Sequence, residues 1–221
     1  MLRALLAPEN AGDTWTQSHL HTHVGDLPRP HDPVTPPSLG LVNKVVRELV
    51  DEAFLEKTER GLKVCDALGL LNAWKSAYRC DHPRADFFTL LKGPRLRAAL
   101  GQLESVTGGH AAYAVFSAAE RQVPQVRQPK VWLYVAGRYL PELRSLAEAK
   151  EVESGGNLVV LTPNDDGVFY LQHGQDADLS VTNPIQTYLD LCYAGERGEE
   201  AAEAIFNVLL KPRWGEGGML K

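Results

Sequence analysis

The sequence predicts an α+β protein, with an N-terminal winged helix-turn-helix domain in residues 1–80 and a mixed α/β domain in residues 81–221. Three observations carry this reading. An amphipathic stretch at 38–52 is followed at once by two β-compatible runs. Helical and strand-like apolar segments then alternate through the rest of the chain. The charge is also uneven. Lys and Arg against Asp and Glu give about +2 over residues 1–130 and about −7 over residues 131–221, within a total of −5.

Residues 2–7 read as a first helix, and Thr14 or Thr16 caps a second that runs to about His23. Residues 27–37 are rich in proline, which lacks the amide proton and restricts its predecessor, so a loop is expected there. It is longer than the ~3–4-residue turn of a simple helix-turn-helix. Ser38 caps the next helix. Val42, Val45, Val46, Leu49 and Val50 form its apolar stripe, and Asn43, Lys44 and Arg47 fall on the other side. Residues 54–64 are two strand-like runs joined by a polar turn ending in Gly61. Asp66 caps a helix whose Leu70, Leu71, Trp74 and Tyr78 close the small core, and residues 80–84 form the junction.

Beyond the junction, residues 87–91 are expected as a strand. Pro94 opens a helix carrying Leu96, Leu100 and Leu103, which Gly108 and Gly109 end. The Ala-rich residues 110–122 read as another helix, 130–135 as a strand and 141–146 as a short helix. Residues 157–162 and 168–171 read as a hairpin turned by Asn164, Asp165, Asp166 and Gly167. Thr182 or Asn183 caps a helix with Pro184 in its first turn and Ile185, Tyr188 and Leu189 inward. After the breaks at Gly195 and Gly198, residues 199–211 form the last helix, which Pro212 stops. Glu199 and Glu200 at its start and Lys211 at its end suit the helix dipole.

A cationic helix beside a cationic hairpin is suited to double-stranded DNA. The expected contacts are Asn43, Lys44 and Arg47 on base edges, with Ser38, Lys57, Arg60 and Lys63 on phosphates. Glu48, Asp51, Glu52, Glu56 and Glu59 dilute the field. The acidic second half is expected to stay off nucleic acid. Two other readings stand beside this one: a non-catalytic module using the winged domain for protein contacts, and a metal-dependent nuclease.

The nuclease reading would rest on Glu153, Asp165 and Asp166, but the expected Lys one residue beyond a strand carboxylate is missing. Ser154-Gly155-Gly156 is no G-x-S-x-G elbow, and no phosphate-binding glycine motif occurs, so neither catalysis nor a cofactor is expected. His19, His21 and His23, near His31, Asp26 and Asp32, suggest a metal cluster. On a helix, however, only His19 and His23 share a face, and a solvated surface is the expectation. Asp190, Arg197 and Glu200 read as capping and an ion pair, or as a partner contact. Cys65, Cys80 and Cys192 form no C-x-x-C pair, which points to a reducing cytoplasm and away from a disulfide or a zinc site. No apolar run approaches the ~20 residues of a membrane span, and the opening residues are too soon interrupted for a secretory signal.

Three blocks resemble the AbiEi-type antitoxin family of type IV toxin–antitoxin systems. They are residues 39–64 with 70–74, residues 153–170, and residues 182–191 with 197–203. The resemblance implies a winged-helix DNA-binding domain followed by an α/β domain. It also implies repression of the protein's own operon and antagonism of a nucleotidyltransferase-like toxin. The chain departs from the family pattern in its Pro-rich insertion and its abbreviated N-terminal part.

Overall fold

The structure, a computed structural model, describes residues 1–25, 37–123, 126, 129–175 and 178–215. The Pro-rich loop expected at 27–37 lies outside these residues except for Pro37. The chain forms two compact units. The first is Met1–Tyr78 together with the stretch from Asn207 onward, and the second is Arg79–Phe206. The sequence places residues 81–221 in the second domain, whereas the stretch from Asn207 groups with the first.

In the first unit, α1 (Leu2–Leu6) leads through β1 (Thr14–Trp15) to α2 (Gln17–Gly25) and α3 (Leu39–Asp51). The hairpin β2 (Leu55–Thr58) and β3 (Gly61–Val64) follows, then α4 (Ala67–Ala77). The strands form an antiparallel sheet in the order β1-β3-β2. The starts of α2, α3 and α4 are each set by a side chain that accepts an otherwise unsatisfied amide. Thr16 Oγ1 accepts from the His19 amide (3.0 Å), Ser38 Oγ from Leu41 (3.2 Å) and Asp66 Oδ1 from Gly69 (2.7 Å). Val42, Val46 and Leu49 bury the apolar side of α3, alongside the buried Leu20 and Val24 of α2. Gly61 sits at φ +130°, and a Cβ there would lie 2.7 Å from the Trp15 carbonyl oxygen. The missing side chain thus lets β1 close against the hairpin, a strand too short to register as a β pattern.

The second unit is a seven-stranded mixed sheet in the order β7-β4-β8-β6-β5-β10-β9. Its strands are β4 (Arg84–Phe88), β5 (Ala111–Tyr113), β6 (Val131–Val135), β7 (Lys150–Glu151), β8 (Leu158–Leu161), β9 (His173–Gln175) and β10 (Asp178–Val181). Its helices are α5 (Gly93–Thr107), α6 (Val115–Gln122), α7 (Leu140–Leu146), α8 (Pro184–Leu191) and α9 (Glu196–Ile205). Strand β8 pairs parallel with β6 and antiparallel with β4. The core gathers Phe87, Leu100, Leu103, Leu133, Leu158 and Leu179. No helix among the described residues is long and apolar enough to cross a membrane.

Four expectations are corrected. Residues 110–122 are not one helix, because Ala111–Tyr113 pairs with β6 as a strand and the helix starts only at Val115. Alanine is the best helix former, but intrinsic propensity is a small term and the sheet pairing overrides it. Residues 157–171 are not a hairpin: β8 is a central strand, and Asp166–Phe169 is a 3-10 turn whose first amides are met by Asp165. The strand expected at 87–91 starts earlier, at Arg84, so the junction segment runs straight into it. The last helix starts at Glu196, and Pro212 does not stop it. A π-turn at Phe206–Leu210 leads into α10 (Lys211–Trp214), where Pro212 occupies the first turn and needs no amide bond.

Gly198, expected to break the chain, lies inside α9. A Cβ there would stand 2.2 Å from the Leu191 carbonyl oxygen. Gly198→Ala must therefore push α9 away from the end of α8. It should lower stability by about 1–3 kcal/mol, read as a fall in the denaturation midpoint; an unchanged midpoint would refute this close approach.

Candidate nucleic-acid interface

Helix α3 turns Lys44 and Arg47 to solvent, and Ser38 is exposed at its cap. Asn43 is half-buried. Asn43 and Arg47 line a cleft of about 180 Å³ with Gln17, Val46 and Lys57. Three of the seven expected contact residues, two from α3 and one from the hairpin, therefore converge at one place. Ser38, Lys44, Arg60 and Lys63 lie outside that cleft, though all four are exposed. Lys44 lies 4.0 Å from Glu48, an exposed pair one helical turn apart. Lys63 faces Glu56 across the hairpin.

These acidic neighbours reduce the cationic field but do not bury it, since exposed pairs are worth little. The hairpin tip is fixed by Thr58, whose Oγ1 accepts from the Arg60 amide (3.2 Å) and donates to the Gly61 carbonyl (2.9 Å). Arg60 thus projects from a defined turn. Gln17, from α2, joins the cleft without having been singled out in the sequence. No spacing within α3 or the hairpin could have signalled it.

The histidines of α2 behave as helical spacing predicts. The His19 and His23 rings both lie 5.1 Å from the Trp15 ring. His31, Asp26 and Asp32 lie outside the described residues. Of the residues considered for a nuclease, Asp165 is engaged as a turn cap, while Glu153 lies in a cleft with Arg84, Asp86 and Glu151. Arg197 and Glu200 are exposed, but Asp190 points inside and is 1% exposed.

Asp190 belongs to a polar cluster that sequence reading missed. Gln186 Nε2 donates to its Oδ1 at 2.8 Å, and the Cys80 thiol lies 3.9 Å from the same oxygen. One donor atom each from Cys80, His82 and Asp190 lies within 4.8 Å of the others. Burial, reinforced by the Asp190 carboxylate, pushes the Cys80 thiol up to about 12. Cys80 is therefore protonated at neutral pH and is no nucleophile in this state. The 110 residues separating Cys80 from Asp190 leave no motif to read.

Residues 63–211 match the family described as transcriptional regulator, AbiEi antitoxin, type IV toxin–antitoxin system. The chain belongs to that family. The AbiEi match spans the whole second unit, but it starts at Lys63, after α3 and most of the hairpin. The family therefore supports the regulator and antitoxin class, while the contact residues stand on geometry alone. No curated protein and no solved structure matches the chain.

Because Lys44 and Arg47 are exposed, Lys44→Ala and Arg47→Ala should each change stability by no more than about 0.5 kcal/mol. Ser38→Ala removes a cap and should cost about 1 kcal/mol. Denaturation midpoints measure all three, and a large loss for Arg47→Ala would mean that it packs rather than projects.

Proposed function

We propose that the N-terminal unit binds double-stranded operator DNA, and that the protein represses its own operon as an antitoxin opposing a nucleotidyltransferase-like toxin. The observation that carries this reading is the convergence of Asn43, Arg47 and Lys57 beside an exposed, Ser-capped helix. The element order of the first unit and its three-stranded sheet support a winged-helix interpretation. Family membership supports the regulatory role.

In this reading α3 enters the major groove. The arginine fork matches the two acceptors of guanine, while Asn43 lines the same cleft with its Oδ1 turned inward. Lys44 lies on the same helix for base edges. Ser38 at its cap, with Lys57, Arg60 and Lys63 from the hairpin, meets phosphates and sets the register. The role is non-catalytic.

A second reading, a protein-contact module, is favoured by one observation. Leu39 and Leu41, at the start of α3, are 46% and 50% exposed. Apolar side chains there suit a protein surface better than a phosphate backbone.

Fluorescence anisotropy on the DNA upstream of the gene separates the two. Arg47→Ala should cost about 1–3 kcal/mol of binding at one base position, and Lys57→Ala should weaken all sequences and lower the salt slope by about 1. Wild-type affinity in both variants, or binding indifferent to salt, would favour the protein-contact reading. Co-expression with a neighbouring nucleotidyltransferase gene, scored by growth rescue, tests the antitoxin role.

A further inference from the structure

We propose that Cys80, His82 and Asp190 form a binding site for a divalent transition-metal ion of the zinc class. The three donor atoms already lie within 4.8 Å of one another, and the sulfur and Asp190 Oδ1 are 3.9 Å apart. Bonds of about 2.0–2.3 Å in a tetrahedral site set ligand atoms about 3.6 Å apart. The required contraction is about an ångström, within reach of side-chain rotation. A thiolate, an imidazole and a carboxylate together suit a borderline-soft ion rather than magnesium or calcium. Three protein ligands leave a fourth position for water.

The local chain explains the convergence. Cys80 and His82 are two residues apart in a non-helical segment, where alternate side chains share a side. Asp81 between them is exposed, whereas both flanking residues are half-buried. Asp190 is presented by α8, all of whose residues are buried. Its carboxylate is oriented by Gln186, and the His82 ring lies edge-on to Tyr134 at 5.2 Å. These neighbours have the character of outer-shell partners, which fix ligand orientation. A carboxylate this deep bears a desolvation cost that a coordinated cation offsets.

Metal uptake releases the Cys80 thiol proton to solvent as the sulfur–metal bond forms. The Asn164 amide donates to His82 Nδ1 at 3.2 Å, which leaves the ring proton on Nε2. Coordination through Nε2 moves that proton to Nδ1 and gives up the contact with the exposed Asn164. Coordination through Nδ1 replaces the contact.

The test uses the full chain stripped with chelator and titrated with cobalt(II) as a spectroscopic probe. A thiolate-to-cobalt charge-transfer band should saturate at about one ion per chain, and zinc should bleach it and raise the thermal midpoint. Cys80→Ser should abolish the band. His82→Gln should weaken zinc by more than the roughly 10–100-fold lost with an outer-shell partner. In the Cys65→Ser/Cys192→Ser double variant the band should persist, which assigns the sulfur to Cys80 even if Cys80→Ser fails to fold. Absence of the band, its survival in Cys80→Ser, unchanged zinc affinity in His82→Gln, or loss of the band in a folded Cys65→Ser/Cys192→Ser variant would overturn the proposal.

Discussion

Strand β8 is buried along its whole length and hydrogen-bonded on both edges, to β4 on one side and β6 on the other. Four consecutive apolar residues at that place satisfy two neighbours and two faces at once, as expected of a strand buried on both sides. The β4 pairing does not end with the strands: the Thr162 amide donates to the Pro83 carbonyl (2.8 Å), and the Asn164 amide to His82 (3.2 Å). The register of one central strand thereby carries into the segment that holds Cys80 and His82. The other half of that cluster depends on α8, held by Asn183. Asn183 caps Gln186 (2.9 Å) and donates to the Tyr170 carbonyl (2.6 Å).

The first unit follows a different logic. Its helices are short and individually weak, so side-chain caps and one apolar side of α3 do most of the positioning. Burying Val42, Val46 and Leu49 fixes the rotation of α3 about its axis. That rotation sends Lys44 and Arg47 outward. The cationic surface is thus a by-product of core packing, which is why exposed charges on it can vary without disturbing the fold.

The sequence made much of this legible where a residue type has one strong local use. Ser38, Asp66 and Asn183 announced their caps, Pro94 and Pro184 their first turns, and Leu158 to Leu161 a strand. It failed where pairing partners lie far away. Ala111 to Tyr113 became a strand because Leu133 to Val135 lie beside them, against the helical preference of alanine. Asp165-Asp166-Gly167 looked like a hairpin turn because the sequence could not tell that β8 already had two neighbours. Of the candidate interface, the exposed cations were readable from the period of α3, while Gln17 was not. The Cys80–His82–Asp190 cluster was invisible because only folding brings its members together.

The chain passes between its two units twice, after Tyr78 and again after Phe206. Its returning segment buries Leu210, and the Trp214 indole donates to the Leu6 carbonyl at 3.2 Å. The seven-stranded unit is in effect an insert within the other, and no single cut releases either. A fragment ending near residue 80 would carry α3 but lack the tail that seals its own interior. Dissection of this protein therefore calls for excising the middle and rejoining the flanks, rather than trimming from one end.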